Sequence, residues 1–184
     1  QHMQIENGLF EHGVLQRNSQ NRSQARVRGT VSTNGKTEKV RARVTAKNRP
    51  LPGFSSKIVG QAKGGKFEAT LDGIPAGGPY TIELTAGPER VVVKDVLVGD
   101  VWISAGQSNM DGVGLLSEAA AAHPMCRAFY MDDHWDVAHD PIHETGIAVD
   151  DVHLDLRGGV RGPRQQVVGT GPAVTGMSGR PTPM

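Results

Sequence analysis

Apolar and polar residues alternate through most of the first half of the chain. Val27, Gly29 and Val31 fall on one side of Ala25–Val31, and Val40, Ala42, Val44 and Ala46 on one side of Val40–Ala46. Phe67, Ala69 and Leu71 form a third such set, and Tyr80, Ile82 and Leu84 a fourth. A period of two is that of a half-buried β-strand. Turn-forming residues separate the sets: Asn34-Gly35, Pro50-Leu51-Pro52-Gly53, Gly64-Gly65 and Gly77-Gly78-Pro79. Short strands without helical periodicity predict a β-sandwich. Val91-Val92-Val93 and Val96-Leu97-Val98 then lead into Val101-Trp102-Ile103. This last run is continuously apolar and predicts a strand buried on both faces, as in a parallel sheet, with Trp102 in the core. Leu115–Ala122 predicts a helix stopped at Pro124, and Phe129-Tyr130-Met131 a further short strand. From Asp132 onward periodicity fades. The Gly- and Pro-rich stretch Gly169–Met184 excludes a helix or a central strand.

Composition supports this picture. Gly and Pro number 24 and 11 of 184 residues, which favours strands and tight turns over long helices. The length permits a sizeable core and between one and two domains. No run of about 18 apolar residues is present to form a membrane-spanning helix. The opening residues lack the basic, apolar and small-residue pattern of a secretory leader. The single cysteine, Cys126, excludes an intrachain disulfide.

Charge divides the chain more sharply than hydropathy does. Residues 1–98 carry 15 Lys/Arg against 8 Asp/Glu, and residues 99–184 carry 5 against 11. No lysine follows Lys94. The break predicts two units meeting near Gly99, with a β-sandwich over 4–98 and a second domain over 99–184. The basic residues of Lys39–Lys47 alternate with apolar ones and form a solvated strand face. No aromatic residues interleave with them as single-stranded nucleic acid would require, so no nucleic-acid partner is expected.

Candidate chemistry begins where the apolar run ends. In Val101-Trp102-Ile103-Ser104-Ala105-Gly106-Gln107-Ser108-Asn109-Met110 a predicted strand runs into two small residues that permit a sharp turn. Ser108 then stands beyond the carboxyl end of a strand, where open α/β sheets bind ligands. The amide groups that follow can face an oxyanion. A serine hydroxyl needs a base, usually a histidine oriented by a carboxylate. The alternative role for such a serine is to cap the next helix.

These residues resemble a known family. Gly99-Asp100-Val101-Trp102 followed by Gly106-Gln107-Ser108-Asn109-Met110 is similar to the first conserved block of the sialate O-acetylesterase-like carbohydrate esterases, in the SGNH hydrolase superfamily. Leu9–Arg17 resembles the family's opening block, Ile74–Tyr80 a hairpin of its N-terminal β-sandwich, and Val93–Asp100 the link into its hydrolase domain. The resemblance implies a jelly-roll-like β-sandwich followed by the first part of a flavodoxin-like α/β hydrolase domain. It also implies Ser108 as nucleophile, with Gly106, Gln107 and Asn109 around the oxyanion and substrate, and no cofactor. Val168–Val174 resembles a segment that precedes the family's later Gly, Asn and Asp-His blocks. Those blocks have no counterpart here, so the hydrolase domain reads as truncated. Family members often work in secretory or periplasmic settings, and the chain itself assigns no compartment.

A base must then be found within this chain. Asp150-Asp151-Val152-His153 has Asp-x-x-His spacing, with Asp150 to orient and His153 to accept the proton; the alternative is a surface-loop histidine. Asp132, Asp133, His134, Asp136, His139, Asp140 and His143 form a mixed cluster. Pro141 breaks the helix that would align His139 with His143, so a solvated loop is expected and no metal site. Trp135, in this acidic stretch, is a candidate sugar platform.

Three functions compete. The first is a serine esterase that removes O-acetyl groups from sugars. The second is a non-catalytic homologue in which the β-sandwich binds glycans or a protein. The third is an assembly that completes its site from a second copy, which an open sheet edge would favour. An acetylated carbohydrate or small ester is the expected partner of the first, and no membrane is expected.

Overall fold

The computed structural model describes residues 3–105, 115–142 and 148–149. The chain divides into two units, residues 1–101 and 102–184. The first contains β1 (Gln4–Asn7), β2 (Val14–Gln16), β3 (Arg22–Thr30), β4 (Glu38–Ala46), β5 (Arg49–Pro50), β6 (Lys57–Lys63), β7 (Lys66–Pro75), β8 (Gly77–Ala86) and β9 (Glu89–Gly99). The predicted alternation is realised in their burial. Val40, Ala42 and Val44 face the core, as do Phe67, Ala69 and Leu71, and Tyr80, Ile82 and Leu84. Cross-strand register places Val27 opposite Ala69, Ala42 opposite Leu84 and Val44 opposite Ile82, so the apolar rows meet face to face. The two valine clusters of the ninth strand belong to one element, which bulges at Asp95 (φ 55°).

The architecture differs from a two-sheet sandwich. All nine strands share one hydrogen-bonded sheet, in the order β1-β3-β7-β6-β4-β8-β9-β2, with β5 paired to β4. Pairing is antiparallel except for β2 with β9, which run parallel. The sheet curls into a half-barrel around its core, and Arg17, just beyond β2, bridges Ser23 of β3. Strand irregularities make such curling possible. Register slips at Val40/Arg41 in β4, and between Tyr80 and Ile82 in β8 opposite the Asp95 bulge, let strands bend without ending. Glycine permits the closest approach. A Cβ at Gly29 would lie 1.9 Å from the Gln4 carbonyl oxygen and 2.6 Å from Cε1 of Phe67.

Ser23 is 1% exposed and joins β3 to β7 at a register slip. Its hydroxyl donates to the Leu71 carbonyl (2.7 Å) and accepts from the Ile74 N–H (3.0 Å). Ser23→Ala leaves both backbone groups buried without that partner. We expect a loss of about 1–3 kcal/mol, read as a lower urea midpoint with an unchanged m-value.

The second unit corrects several expectations. Residues 101–105 form no strand, and Trp102 and Ile103 are 85% and 92% exposed. A strand buried on both faces needs paired neighbours on both edges, and these residues have no ladder partner. The helix expected over Leu115–Ala122 is a single 3-10 turn, Leu116–Glu118, followed by extended Ala119. None of its residues is buried, and a short helix without a packed face does not repay its nucleation. The strand expected at Phe129–Met131 is shifted to β10 (Arg127–Phe129), which pairs antiparallel with β11 (Trp135–Val137). An α/β hydrolase sheet is not present among the described residues.

Candidate active site

The polypeptide leaves the first unit through Gly99, Asp100 and Val101, which are held by Gln16 at the end of β2 and by Arg17 just beyond it. Parallel pairing sets Gln16 beside Gly99. The Arg17 N–H donates to the Gly99 carbonyl at 2.8 Å. Arg17 Nη2 lies 2.9 Å from Asp100 Oδ2, and Gln16 Oε1 accepts from the Val101 N–H at 2.8 Å. The hydrogen bond from Arg17 is the main cause that holds the Asp100 carboxyl below its ordinary pKa. The same bond raises that of the Arg17 guanidinium.

Seven residues beyond Val101 stands Ser108. Gly106, Gln107, Ser108 and Asn109 lie outside the described residues, as do Asp150, His153 and His143. Of the site residues expected from sequence, Trp135 is the one whose surroundings are described. It is half-buried in β11, directly opposite Phe129 of β10, with ring centroids 5.6 Å apart and planes at 55°. Opposed residues of an antiparallel pair share a face, so the two rings form one aromatic surface, and Phe129 is exposed.

Tyr130 holds the hairpin together. Its N–H donates to the His134 carbonyl (2.8 Å), and its carbonyl accepts from the Asp133 N–H (3.0 Å), with Asp133 left-handed at φ 62°. Its buried hydroxyl donates to the Val137 carbonyl (2.8 Å) and accepts from the His139 N–H (3.1 Å). Burial raises the pKa of this phenol, and Asp136 and Asp140 add to the rise, against a lowering bond from the His139 backbone. The His134 ring stacks on Tyr130 at 5.1 Å and bonds through Nδ1 to Asp132. Tyr130→Phe removes the hydroxyl that joins Val137 to His139. We expect about 1–3 kcal/mol of local stability to be lost, seen as faster amide exchange at His139 with the first unit unaffected.

The acidic cluster is therefore organised by a turn and a tyrosine. No group of metal-ligating side chains occurs among the described residues. Sequence reasoning placed Phe129 and Tyr130 in a short strand and Asp132 and His134 in a mixed cluster, without the Phe129–Trp135, Tyr130–Val137 and Asp132–His134 contacts. Two aromatic residues flanking an Asp-Asp turn were the available hairpin signal. Sequence reasoning passed over the structural role of Gln16 and Arg17, for which no local signal exists.

Comparison with known proteins bears on the same segment. Residues 98–175 match the family model for carbohydrate esterases, sialic acid-specific acetylesterases. No curated protein matches the chain. Among solved structures, a novel carbohydrate acetylesterase from Xanthomonas citri is similar, with 23% sequence identity and a TM-score of 0.49. The alignment covers 73% of this chain and 32% of that protein, so this chain spans about a third of its length. Residues 98–175 are thus similar to the sialic acid-specific acetylesterases among the carbohydrate esterases.

Proposed function

We propose that this chain carries the nucleophile segment of a serine-dependent carboxylic ester hydrolase that removes O-acetyl groups from sugars. The observation that carries this reading is the family match over residues 98–175, which includes Gly106-Gln107-Ser108-Asn109-Met110. Residues 4–98 serve as a supporting β domain, and residues 99–184 as the hydrolase portion.

Ser108 Oγ attacks the acetyl carbonyl carbon while His153, oriented by Asp150, accepts the hydroxyl proton. Negative charge on the carbonyl oxygen is met by backbone N–H groups at Ser108 and its neighbours Gly106, Gln107 and Asn109. The ester C–O bond breaks, and the sugar oxygen leaves with the proton from the imidazolium. Water then attacks the acetyl-serine and gives a proton to the imidazole; the bond between the acyl carbon and Ser108 Oγ breaks, the imidazolium returns the proton to Oγ, and acetate is released. Trp135, with Phe129 beside it, offers an aromatic surface on which a sugar ring can stack.

Covalent labelling tests this reading. A fluorophosphonate reacts only with an activated serine, and we expect a single adduct, assigned to Ser108 by peptide mass. Absence of that adduct in folded protein overturns the assignment.

A further inference from the structure

We propose that the first unit carries a binding site for a carboxylated sugar, in a polar hollow between the β3–β4 connection and the tip of the β6–β7 hairpin. The hollow measures about 640 Å³. It lies wholly within the first unit, so binding there does not depend on Ser108.

Its wall is polar and uncharged. Gln4 and Asn34 bring carboxamides, and Thr30, Ser32 and Thr33 bring hydroxyls. Such groups both donate and accept, as the hydroxyls of a sugar require. Gly35, Gly64 and Gly65 complete the lining. A Cβ at any of these three would meet nothing within 4 Å, so bare backbone faces open space there. Main-chain bonds hold the shape. The Val31 N–H donates to the Gly65 carbonyl (2.9 Å), which ties the connection to the hairpin. The Lys36 N–H donates to the Thr33 carbonyl (2.8 Å), which closes the turn over Asn34-Gly35.

Thr33 distinguishes this hollow from a mere gap between loops. It is 8% exposed, yet its hydroxyl has no hydrogen-bond partner among the described residues. A buried hydroxyl without a partner is costly. One that lines a hollow is satisfied by what enters, water when the site is free and a ligand hydroxyl when it is filled.

Charge selects the ligand. Cross-strand register sets Gln4, Thr30, Lys66 and Lys63 in one row across β1, β3, β7 and β6. Opposed residues share a face, so two lysines extend the row that begins at the hollow. Both are exposed, and neither forms an ion pair among the described residues, unlike Arg28, which meets Glu68 at 3.1 Å. Among the described residues no carboxylate and no aromatic ring lines the hollow. Glu38 and Glu89 line an adjoining hollow that shares Thr33 and Asn34, so a ligand carboxylate is drawn toward the lysines.

The test titrates the full chain with a galacturonic acid trimer, the galactose trimer of the same linkage and an oligothymidylate, and follows backbone amide shifts. We expect saturable shifts at residues 30–36 and 63–66 with the acidic trimer, and at least about tenfold weaker binding of the neutral one. Added salt should weaken the acidic trimer. Lys63→Gln combined with Lys66→Gln should cost about tenfold in its affinity and leave the thermal midpoint within about 2 °C, since both lysines are exposed. Thr33→Val removes the hydroxyl and keeps the shape, and should cost about fivefold without lowering the midpoint. A hydroxyl needed only for folding would lower the midpoint and leave binding per folded molecule unchanged. The lysine variant carries the test should Thr33→Val fail to fold. The site is overturned by no saturable shift up to about 10 mM acidic trimer, or by shifts confined to other residues. Equal affinity for the neutral trimer or for the oligothymidylate overturns it as well.

Discussion

Ser108→Ala is expected to lower the turnover of p-nitrophenyl acetate by at least about a thousandfold. The magnitude follows from what a covalent nucleophile supplies. Without the hydroxyl no acetyl-enzyme forms, and only binding and oxyanion stabilisation remain. His153→Ala is expected to cause a loss of the same order, because nucleophile and base act as one unit and their removals are strongly non-additive. The double variant therefore matches either single one. Progress curves at matched protein concentration, with folding verified by circular dichroism, give the comparison. Equal rates for wild type and Ser108→Ala would remove the hydrolytic reading. A full effect at Ser108 with none at His153 would move the base to another histidine.

Phe67→Ala is expected to cost about 3–5 kcal/mol of stability in the first unit. Phe67 is among the largest fully enclosed side chains of the core and lies on β7 opposite Gly29 of β3 and Ala62 of β6. Both partners are small, so the ring fills the space between three strands. Its removal leaves a cavity that backbone pairing on both sides prevents from collapsing. A domain of this size is stable by about 5–15 kcal/mol, so the loss is a large fraction of the total. The thermal midpoint should fall by on the order of 20 °C. A fall of less than about 5 °C would show that the space closes or that the ring is not buried in solution. The complementary change, Gly29→Ala, puts a methyl group against the Gln4 backbone and the Phe67 ring, and should loosen β1 first.

Much of the first unit was legible from its residues. Alternation marked the inward rows at Val40–Val44, Phe67–Leu71 and Tyr80–Leu84, because a strand can bury only every second side chain. Gly64-Gly65 marked a hairpin, and both residues are left-handed there, at φ 61° and 82°. The short strands β1, β2 and β5 were not legible. Each has only two to four residues, too few to show a period, and each exists because a longer neighbour offers an unpaired edge. The apolar run Val101–Ile103 misled for the opposite reason. Hydrophobicity states that burial is favourable, and it does not supply the flanking strands that would provide it.

The candidate site divides in the same way. The pattern around Ser108 left a capping role open, and it was the resemblance of Gly106-Gln107-Ser108-Asn109-Met110 to a family block that implied a nucleophile. Trp135 was singled out by composition, whereas its pairing with Phe129 and the tyrosine that secures their hairpin arose from cross-strand register. By itself, then, the sequence determined which residues turn inward, where the chain turns, and which hydroxyl is the candidate nucleophile. The tertiary structure alone decided that nine strands join in one curled sheet and that β2 runs parallel to β9, bringing Gln16 and Arg17 beside Gly99, Asp100 and Val101. The physical reason is that a local period fixes the face a residue presents, while the choice of partner strand depends on contacts many residues away.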